Sequence, residues 1–178
     1  MFRFRLFSLT AFLALLALSA PARAWNDEGH RIIALIAEDH LTPLARQRVT
    51  ALLAWEGETS MADVASWADH IRHETNDHPT HGVRIPLDHS AYNPRRDCSG
   101  PKLCAVGAVQ QDVLILADPA QPVAARLEAL KYIIHLTGDL HMPLHASQQN
   151  GGRIEVEIDG RDMTLHQLWD GVITAHQG

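Results

Sequence analysis

Histidine–aspartate pairs at helical spacing are the most informative chemical feature of this sequence. His135 and Asp139 lie four residues apart in an apolar stretch, and His166 and Asp170 repeat the spacing. On a helix, residues four apart project from one face. One such pair is more typical of a structural hydrogen bond, but two pairs buried among apolar residues favour a bound cation, because unpaired buried charges are costly. Imidazole and carboxylate together suit zinc.

The composition supports a metal-binding globular protein. The 178 residues fit one domain, and 46% apolar with 20% charged residues is ordinary for a soluble fold. Twelve histidines stand against four phenylalanines and two tyrosines, and neutral imidazole is the commonest metal ligand. The net charge of −6 gives no basic field for phosphates. We therefore expect bound cations, rather than lysine and arginine, to attract any anionic substrate.

The first 24 residues are typical of a secretory signal peptide. Arg3 and Arg5 precede an apolar run at residues 6–18, and Ala22-Arg23-Ala24 is a cleavage-site pattern. A membrane anchor is the alternative, but the run is shorter than the ~20 residues that span a bilayer. We expect cleavage after residue 24, export to the periplasm or medium, and a mature chain 25–178 with no membrane span. Its net charge would be −9, with 12 basic and 21 acidic side chains.

Two cysteines, Cys98 and Cys104, flank a turn-rich spacer. In an exported protein this spacing favours a small disulfide loop over a thiolate metal site, which would need more cysteines.

The hydrophobic pattern predicts a mainly α, compact, bundle-like helical fold with one small β-hairpin near the C-terminus. The hairpin is indicated by alternating apolar residues before Asp159-Gly160, a common turn dipeptide. Residues 73–101 are predicted to be a long loop, and a last helical segment begins near residue 164. The other helices are expected at about 27–40, 43–55, 60–71, 103–116 and 123–142.

Two expectations concern the core. The apolar side of the first helix is expected to be formed by Ile32, Ile33, Leu35 and Ile36. The tryptophans Trp55, Trp67 and Trp169 are expected to be core residues rather than platforms for stacked bases.

Four segments together resemble the trinuclear-zinc, single-strand-specific type I nucleases, which are nuclease/3′-nucleotidases related to bacterial zinc phospholipase C. The segments are Trp25-Asn26-Asp27-Glu28-Gly29-His30, Ser66-Trp67-Ala68-Asp69, the run from His135 to His145 (HLTGDLHMPLH), and Leu165-His166-Gln167-Leu168-Trp169-Asp170. The resemblance covers residues 25 to about 173 and implies the phospholipase C/type I nuclease fold.

The resemblance implies three zinc ions. The first would be bound by Asp69, His81, His135 and Asp139. The second would share Asp139 and take His30 with the free amine and carbonyl of Trp25. The third would take His145, His166 and Asp170. His81 is preferred over His73, His78 and His89 because it begins the family-like context His81-Gly82-Val83-Arg84-Ile85-Pro86-Leu87.

The implied activity is hydrolysis of phosphodiester bonds in single-stranded RNA or DNA, and of 3′-nucleotides, by water activated between zinc ions. Asp69 would orient the water and accept its proton, Asp139 would bridge two ions, and Arg72 would stabilise charge on the phosphate. A solvent-exposed role for Arg72 stays equally open. Single-stranded nucleic acid is the expected partner, and we expect a monomer.

Two departures from the family pattern leave alternatives open. The chain stops eight residues after Asp170, where family members continue, so it resembles a C-terminally short form. Arg153 stands where the family has a substrate-associated asparagine, so its substrate-binding role is a hypothesis. A phospholipase C-type lipid phosphodiesterase and a non-catalytic, exported zinc-binding remnant are the alternative functions.

Overall fold

The structure, a computed structural model, describes residues 25–72, 74, 78–88, 91–147 and 153–172. Across these ranges the protein is mostly helical with one two-stranded antiparallel sheet, which confirms the predicted fold class. The expected signal peptide at residues 1–24 lies outside the described residues. No helix within the described ranges combines the length and the apolar character needed to cross a membrane.

Eight α-helical segments are present in the described ranges, and most of the longer ones begin or end close to the predicted positions. Two N-termini follow directly from the sequence: the Asn26 side chain accepts from Gly29 N, and the Thr42 side chain accepts from Ala45 N just before Pro43. The helices are α1 (Asp27–Asp39), α2 (Pro43–Leu53), α3 (Trp67–Ile71), α4 (Pro94–Asp97), α5 (Ala105–Ala117), α6 (Val123–Leu140), α7 (Pro143–Ala146) and α8 (Leu165–Gln167).

Helix α6 is the central element of the fold. It packs along α5 and also contacts α1, α2 and α3. Leu127, Leu130 and Ile134 join one apolar cluster with residues of α1, α2 and the segment after it. Tyr132 and Leu136 join a second cluster with α3 and α5. Because α6 is buried on several sides, polar residues on it are held in fixed positions within the core.

The third predicted helix, at about residues 60–71, is wrong as a continuous element. A single 3₁₀ turn, Met61–Asp63, is closed by a capping box in which Ser60 and Asp63 satisfy each other's main-chain groups. The chain then turns before α3 begins at Trp67. This break leaves the carbonyl of Ala65 available to accept a hydrogen bond from Nδ1 of His135 at 2.7 Å.

The expected apolar side of α1 is also wrong in part. Ile32, Leu35 and Ile36 are exposed, whereas His30 and Ala34 are buried. The helix is turned so that its polar His30, rather than Ile32 or Ile36, points into the protein. Trp55, expected in the core, is 70% exposed in the 3₁₀ turn that follows α2.

The C-terminal hairpin is present where Asp159-Gly160 predicted it. Strands β1 (Glu155–Ile158) and β2 (Arg161–Thr164) pair antiparallel, and both turn residues have positive φ, 53° and 72°. Thr164 then caps α8 through a capping box. The chain continues directly into a π-helical turn, Leu168–Val172.

Candidate metal centre

The centre is built around two side chains of α6. His135 and Asp139 are both 0% exposed, and Nε2 of His135 lies 3.2 Å from Oδ2 of Asp139. The bond from Nδ1 of His135 to the Ala65 carbonyl orients the ring. Nε2 is therefore directed at the carboxylate, an arrangement typical of histidines that bind metals.

His81 reaches the same point from an extended segment. The main chain around it is held by hydrogen bonds from Val83 N to His145 O (2.7 Å) and from Ala105 N to Gly82 O (3.1 Å). A Cβ at Gly82 would lie 2.7 Å from His145 O, so this close approach requires glycine. Of the alternatives to His81, His78 instead lies 3.4 Å from Nζ of Lys102. His73 and His89 lie outside the described residues.

Four ligand-type atoms converge here: Asp69 Oδ1, His81 Nδ1, His135 Nε2 and Asp139 Oδ2. Five of their six separations are known and lie between 3.0 and 4.0 Å. Bonds of ~2.0–2.2 Å in a tetrahedron place neighbouring ligand atoms about 3.3–3.6 Å apart. The spacing therefore fits one zinc-sized cation.

A second group involves the other carboxylate oxygen of Asp139, Oδ1. Nε2 of His30 is 3.5 Å from Oδ1 of Asp139, and the His30 ring stacks on His135 at 4.1 Å. The indole Nε1 of Trp25 donates to Gly138 O at 3.0 Å, which places the first described residue beside His30. A Cβ at Gly138 would lie 2.9 Å from Nδ1 of His30, so glycine at this helix position gives the ring its space.

A third group is formed by α7, α8 and the π-turn. Nε2 of His145 lies 3.1 Å from Nε2 of His166, which is 3.3 Å from Oδ2 of Asp170. Nδ1 of His145 bonds to the carbonyl of His81 at 2.6 Å and is 3.9 Å from Oδ1 of Asp139. The three groups therefore adjoin one another around Asp139.

The donor set fits metal ions because many of its buried polar atoms have no hydrogen-bond partner in the structure. Buried polar side-chain atoms are nearly always paired in native proteins. Here both ring nitrogens of His30, Nε2 of His81, and both carboxylate oxygens of Asp69, Asp139 and Asp170 lack one. Two triplets within this set, His30–Asp69–His135 and His81–His135–Asp139, have ligand atoms within 4.8 Å of one another.

The electrostatics of the cluster reflect carboxylates that are buried close to one another and to imidazole rings. Burial, followed by the charges of Asp139 and Asp69, raises the pKa of Asp170 to about 8. Burial would also raise the pKa of Asp139, yet the adjacent imidazoles of His135 and His81 hold it below the usual range. Burial and neighbouring histidines lower the pKa of His30 to about 3, so its ring stays neutral, the form that binds metals.

The remaining candidate residues adjoin this centre or line its cleft. Nη1 of Arg72 lies 3.2 Å from Oδ1 of Asp69, one helical turn earlier on α3. Arg153 lines the cleft that contains His81, His145 and His166. Cys98 and Cys104 are joined by a disulfide. Histidines omitted from the ligand set, His40, His70 and His141, are exposed.

Sequence reasoning did not identify the residues that make room for the ligands. Gly138 and Gly82 permit close approaches, and the carbonyl of Ala65 orients His135. Of these residues, only Gly138 could have been noticed in the sequence, because it lies between the two proposed ligands of α6. Glycine is unfavourable in a helix interior, so its presence there suggests a packing requirement.

The fold and the donor set define a helical protein whose buried histidine–aspartate cluster could bind several metal ions. Residues 25–178 match the S1/P1 nuclease family, and the chain belongs to that family. Relatives include Endonuclease 2 of Arabidopsis thaliana, 35% identical over 162 residues (84% of this chain, 56% of the relative). Nuclease S1 of Aspergillus oryzae is 29% identical over 172 residues (88% and 57%). Nuclease P1 of Penicillium citrinum is 28% identical over 161 residues (82% and 57%). The chain thus spans just over half the length of these curated relatives.

Proposed function

We propose that this chain is an exported zinc-dependent endonuclease. It would lose residues 1–24, act as a single domain from residue 25, and hydrolyse phosphodiester bonds of single-stranded RNA or DNA and of 3′-nucleotides. Family membership and relatives named as nucleases and endonucleases support the reaction class. The observation that carries the proposal is the convergence of buried nitrogen and oxygen atoms from Asp69, His81, His135 and Asp139 at zinc-like separations.

The proposed ligands form three sets. Four of these residues are at most 2% exposed, which favours retention of a cation over exchange with solvent: His30, Asp69, His135 and Asp139. Zinc bound there would supply Lewis-acid activation of water and of phosphate oxygens and stabilise the leaving 3′ oxygen. The sets are Asp69, His81, His135 and Asp139; Trp25 and His30 with Asp139 shared; and His145, His166 and Asp170.

The protein side chains would orient the reactants and move the proton. The Asp69 carboxylate, buried at the centre, would hold the attacking water and accept its proton. Arg72, in contact with Asp69, would donate hydrogen bonds to the phosphate as charge builds on it. Arg153, on the wall of the cleft, would contact the substrate beside the reacting phosphate.

A preference for single strands follows from the depth of the centre. Asp69, His135 and Asp139 are at most 1% exposed, and a paired duplex cannot bend a phosphate into so narrow a position. An unpaired strand can turn one phosphate inward.

The test is zinc content measured beside substrate turnover on protein that begins at Trp25. We expect three zinc ions per chain by mass spectrometry and cleavage of single-stranded oligonucleotides, with little cleavage of duplex. His135→Ala should lose at least one zinc and most activity, whereas His141→Ala, on an exposed histidine at the end of the same helix, should lose neither. Hydrolysis of phosphatidylcholine vesicles without nucleic-acid cleavage, or three bound zinc ions with no phosphodiester turnover, contradicts the proposal.

A further inference from the structure

A large cleft extends from the candidate metal centre towards the disulfide loop. Its volume is about 1280 Å³, and His81, His145 and His166 line one part of it. Residues 96–102 and Cys104 form another wall. Small-molecule sites typically occupy ~300–1,000 Å³. The cleft is therefore large enough for more than the nucleotide whose phosphate reacts.

The wall of this cleft is cationic although the chain as a whole is acidic, with a net charge of −6. Arg84, Arg96, Lys102 and Arg153 line it, and Asp97 is the acidic residue among its described lining. Nε of Arg96 is 2.5 Å from Oδ1 of Asp97, so these two charges offset each other. Among the described lining residues, Arg84, Lys102 and Arg153 then contribute a net charge of +3.

Each of these three basic residues lies on a segment of main chain that is held in place by hydrogen bonds or by the disulfide. Arg84 lies between Val83, whose N bonds to His145 O, and Ile85, which forms a bridge with Ser147. Lys102 lies inside the loop closed by the Cys98–Cys104 disulfide. Arg153 lies just before β1. The residue that follows it, Ile154, accepts a hydrogen bond at its carbonyl from Leu165 N at the start of α8, at 2.6 Å.

We propose that Arg84, Lys102 and Arg153 form a cationic track that binds backbone phosphates of the nucleotides flanking the cleaved bond. The track rests on the proposed function, since it assigns the rest of the same substrate to the rest of the same cleft. The track would also attract a polyanion locally, although the negative net charge of the whole chain does not. Contacts of this kind are independent of base identity, which suits an enzyme that cleaves many sequences.

The experiment compares two fluorescently labelled twelve-nucleotide thymidine strands bound to the zinc-loaded protein. One carries charged, slowly hydrolysed phosphorothioate at every linkage. The other keeps one central phosphorothioate and has neutral methylphosphonate elsewhere. Anisotropy titrations from 50 to 200 mM salt give affinity and its salt slope. Single-strand contacts contribute about 0.7 each to that slope, so three contacts should add about 2 and weaken the charged strand about 20-fold more over this range.

Variants locate the contacts. Arg84→Gln, Lys102→Gln and Arg153→Gln should each reduce the slope for the charged strand by about 0.7 and leave the neutral-flanked strand much less affected. Arg48→Gln is the matched control, because Arg48 is exposed on α2 outside the cleft lining. Thermal melting of each variant verifies the fold, and the exposed Arg84 and Arg153 give a test even if Lys102→Gln is unstable.

The outcomes separate this inference from the proposed function. Equal salt slopes for the two strands on the wild-type protein, with both strands cleaved, overturn the track and leave the nuclease function intact. A steep slope that the three substitutions reduce, without cleavage of any phosphodiester, supports the track and rejects the nuclease function. A slope reduced equally by Arg48→Gln also overturns the track, because it would show unlocalised attraction.

Discussion

Asp139 is the residue on which the proposed centre depends. One of its oxygens is 3.2 Å from His135 and 3.3 Å from His81, and the other is 3.5 Å from His30. A carboxylate shared in this way can bridge two cations, and no neutral side chain of the same size could. Its burial at 0% exposure makes the unpaired charge costly without them.

The free amine of Trp25 is one of the proposed zinc ligands. A chain that keeps Ala24 converts that amine to an amide, which removes an ionisable donor beside His30. We expect such a protein to bind one zinc fewer and to lose most nuclease activity, measured by metal analysis and oligonucleotide cleavage.

Trimming the same protein back to Trp25 with an aminopeptidase is the control and should restore both quantities. Full activity and full zinc content in the extended form would reject Trp25 as a ligand.

Much of the candidate site could be predicted at the level of single residues. The His-x-x-x-Asp spacing alone indicated His135 with Asp139 and His166 with Asp170, and the structure brings all four side chains into adjoining groups. Sequence periodicity could not predict that His81, which lies on irregular main chain, is placed beside these side chains. Its position depends on hydrogen bonds to Leu103, Ala105 and His145, which are distant in sequence.

At the scale of elements, α6 positions ligands through a glycine. Gly138→Ala should add helix propensity of about 1 kcal/mol but place a methyl group 2.9 Å from Nδ1 of His30. We expect the variant to lose zinc and activity, whereas the zinc-free forms of the variant and of the wild-type protein should melt at similar temperatures.

Thr137→Ala, one residue earlier on α6, is the matched control and should retain its zinc. An alanine at position 138 with full zinc content would show that His30 can move without loss of the site.

The stability of the contact between α5 and α6 should depend on pH through Asp112. Burial, and then the charge of Glu128, raise the pKa of Asp112 to about 6. The folded state therefore binds a proton more readily than the unfolded state, whose pKa is near ~3.9. Stability should fall as pH rises from about 4 to 6, and the destabilisation should be complete above that range.

Asp112→Asn should raise the free energy of unfolding at pH 7 by about 1 kcal/mol, a value discounted for its partial exposure, and should have little effect at pH 4. Urea unfolding at both pH values measures this. Asp162→Asn, on an exposed residue of β2, should change neither value. Equal effects of Asp112→Asn at the two pH values would reject the assignment.

Element boundaries were predictable where local signals dominate, as with Thr42-Pro43 and the Asp159-Gly160 turn. They were not predictable where tertiary contacts override periodicity. The 60–71 segment has helical spacing, but Glu38 accepts hydrogen bonds from Ser60 and Met61 and favours a separate turn. The orientation of α1 that exposes Ile32 likewise follows from the buried position of His30. The local sequence pattern does not predict that position.

For the whole molecule, the cations should contribute to folding as well as to catalysis. The centre draws ligands from α1, α3, α6, α7, α8 and the π-turn, so binding stabilises the folded state only. At a free zinc concentration 1,000 times the dissociation constant, one site adds about 4 kcal/mol.

Chelation with EDTA should therefore lower the melting temperature by about 10 °C or more for a chain of this size. Calorimetry with and without chelator measures the shift, and zinc added back in excess should reverse it. An unchanged melting temperature after verified metal removal would show that the fold does not depend on the cations.

The hydrogen bond from Asn26 N to Asp170 O, 2.8 Å long, joins the earliest and latest portions of the described chain. On the ribosome, the second portion is synthesised about 140 residues after the first. Translation proceeds at ~5–20 residues per second, so there is a delay between them. A nascent polypeptide that has not yet reached Asp170 lacks both this bond and the last ligands. The complete cluster can therefore assemble only after Asp170 has been synthesised.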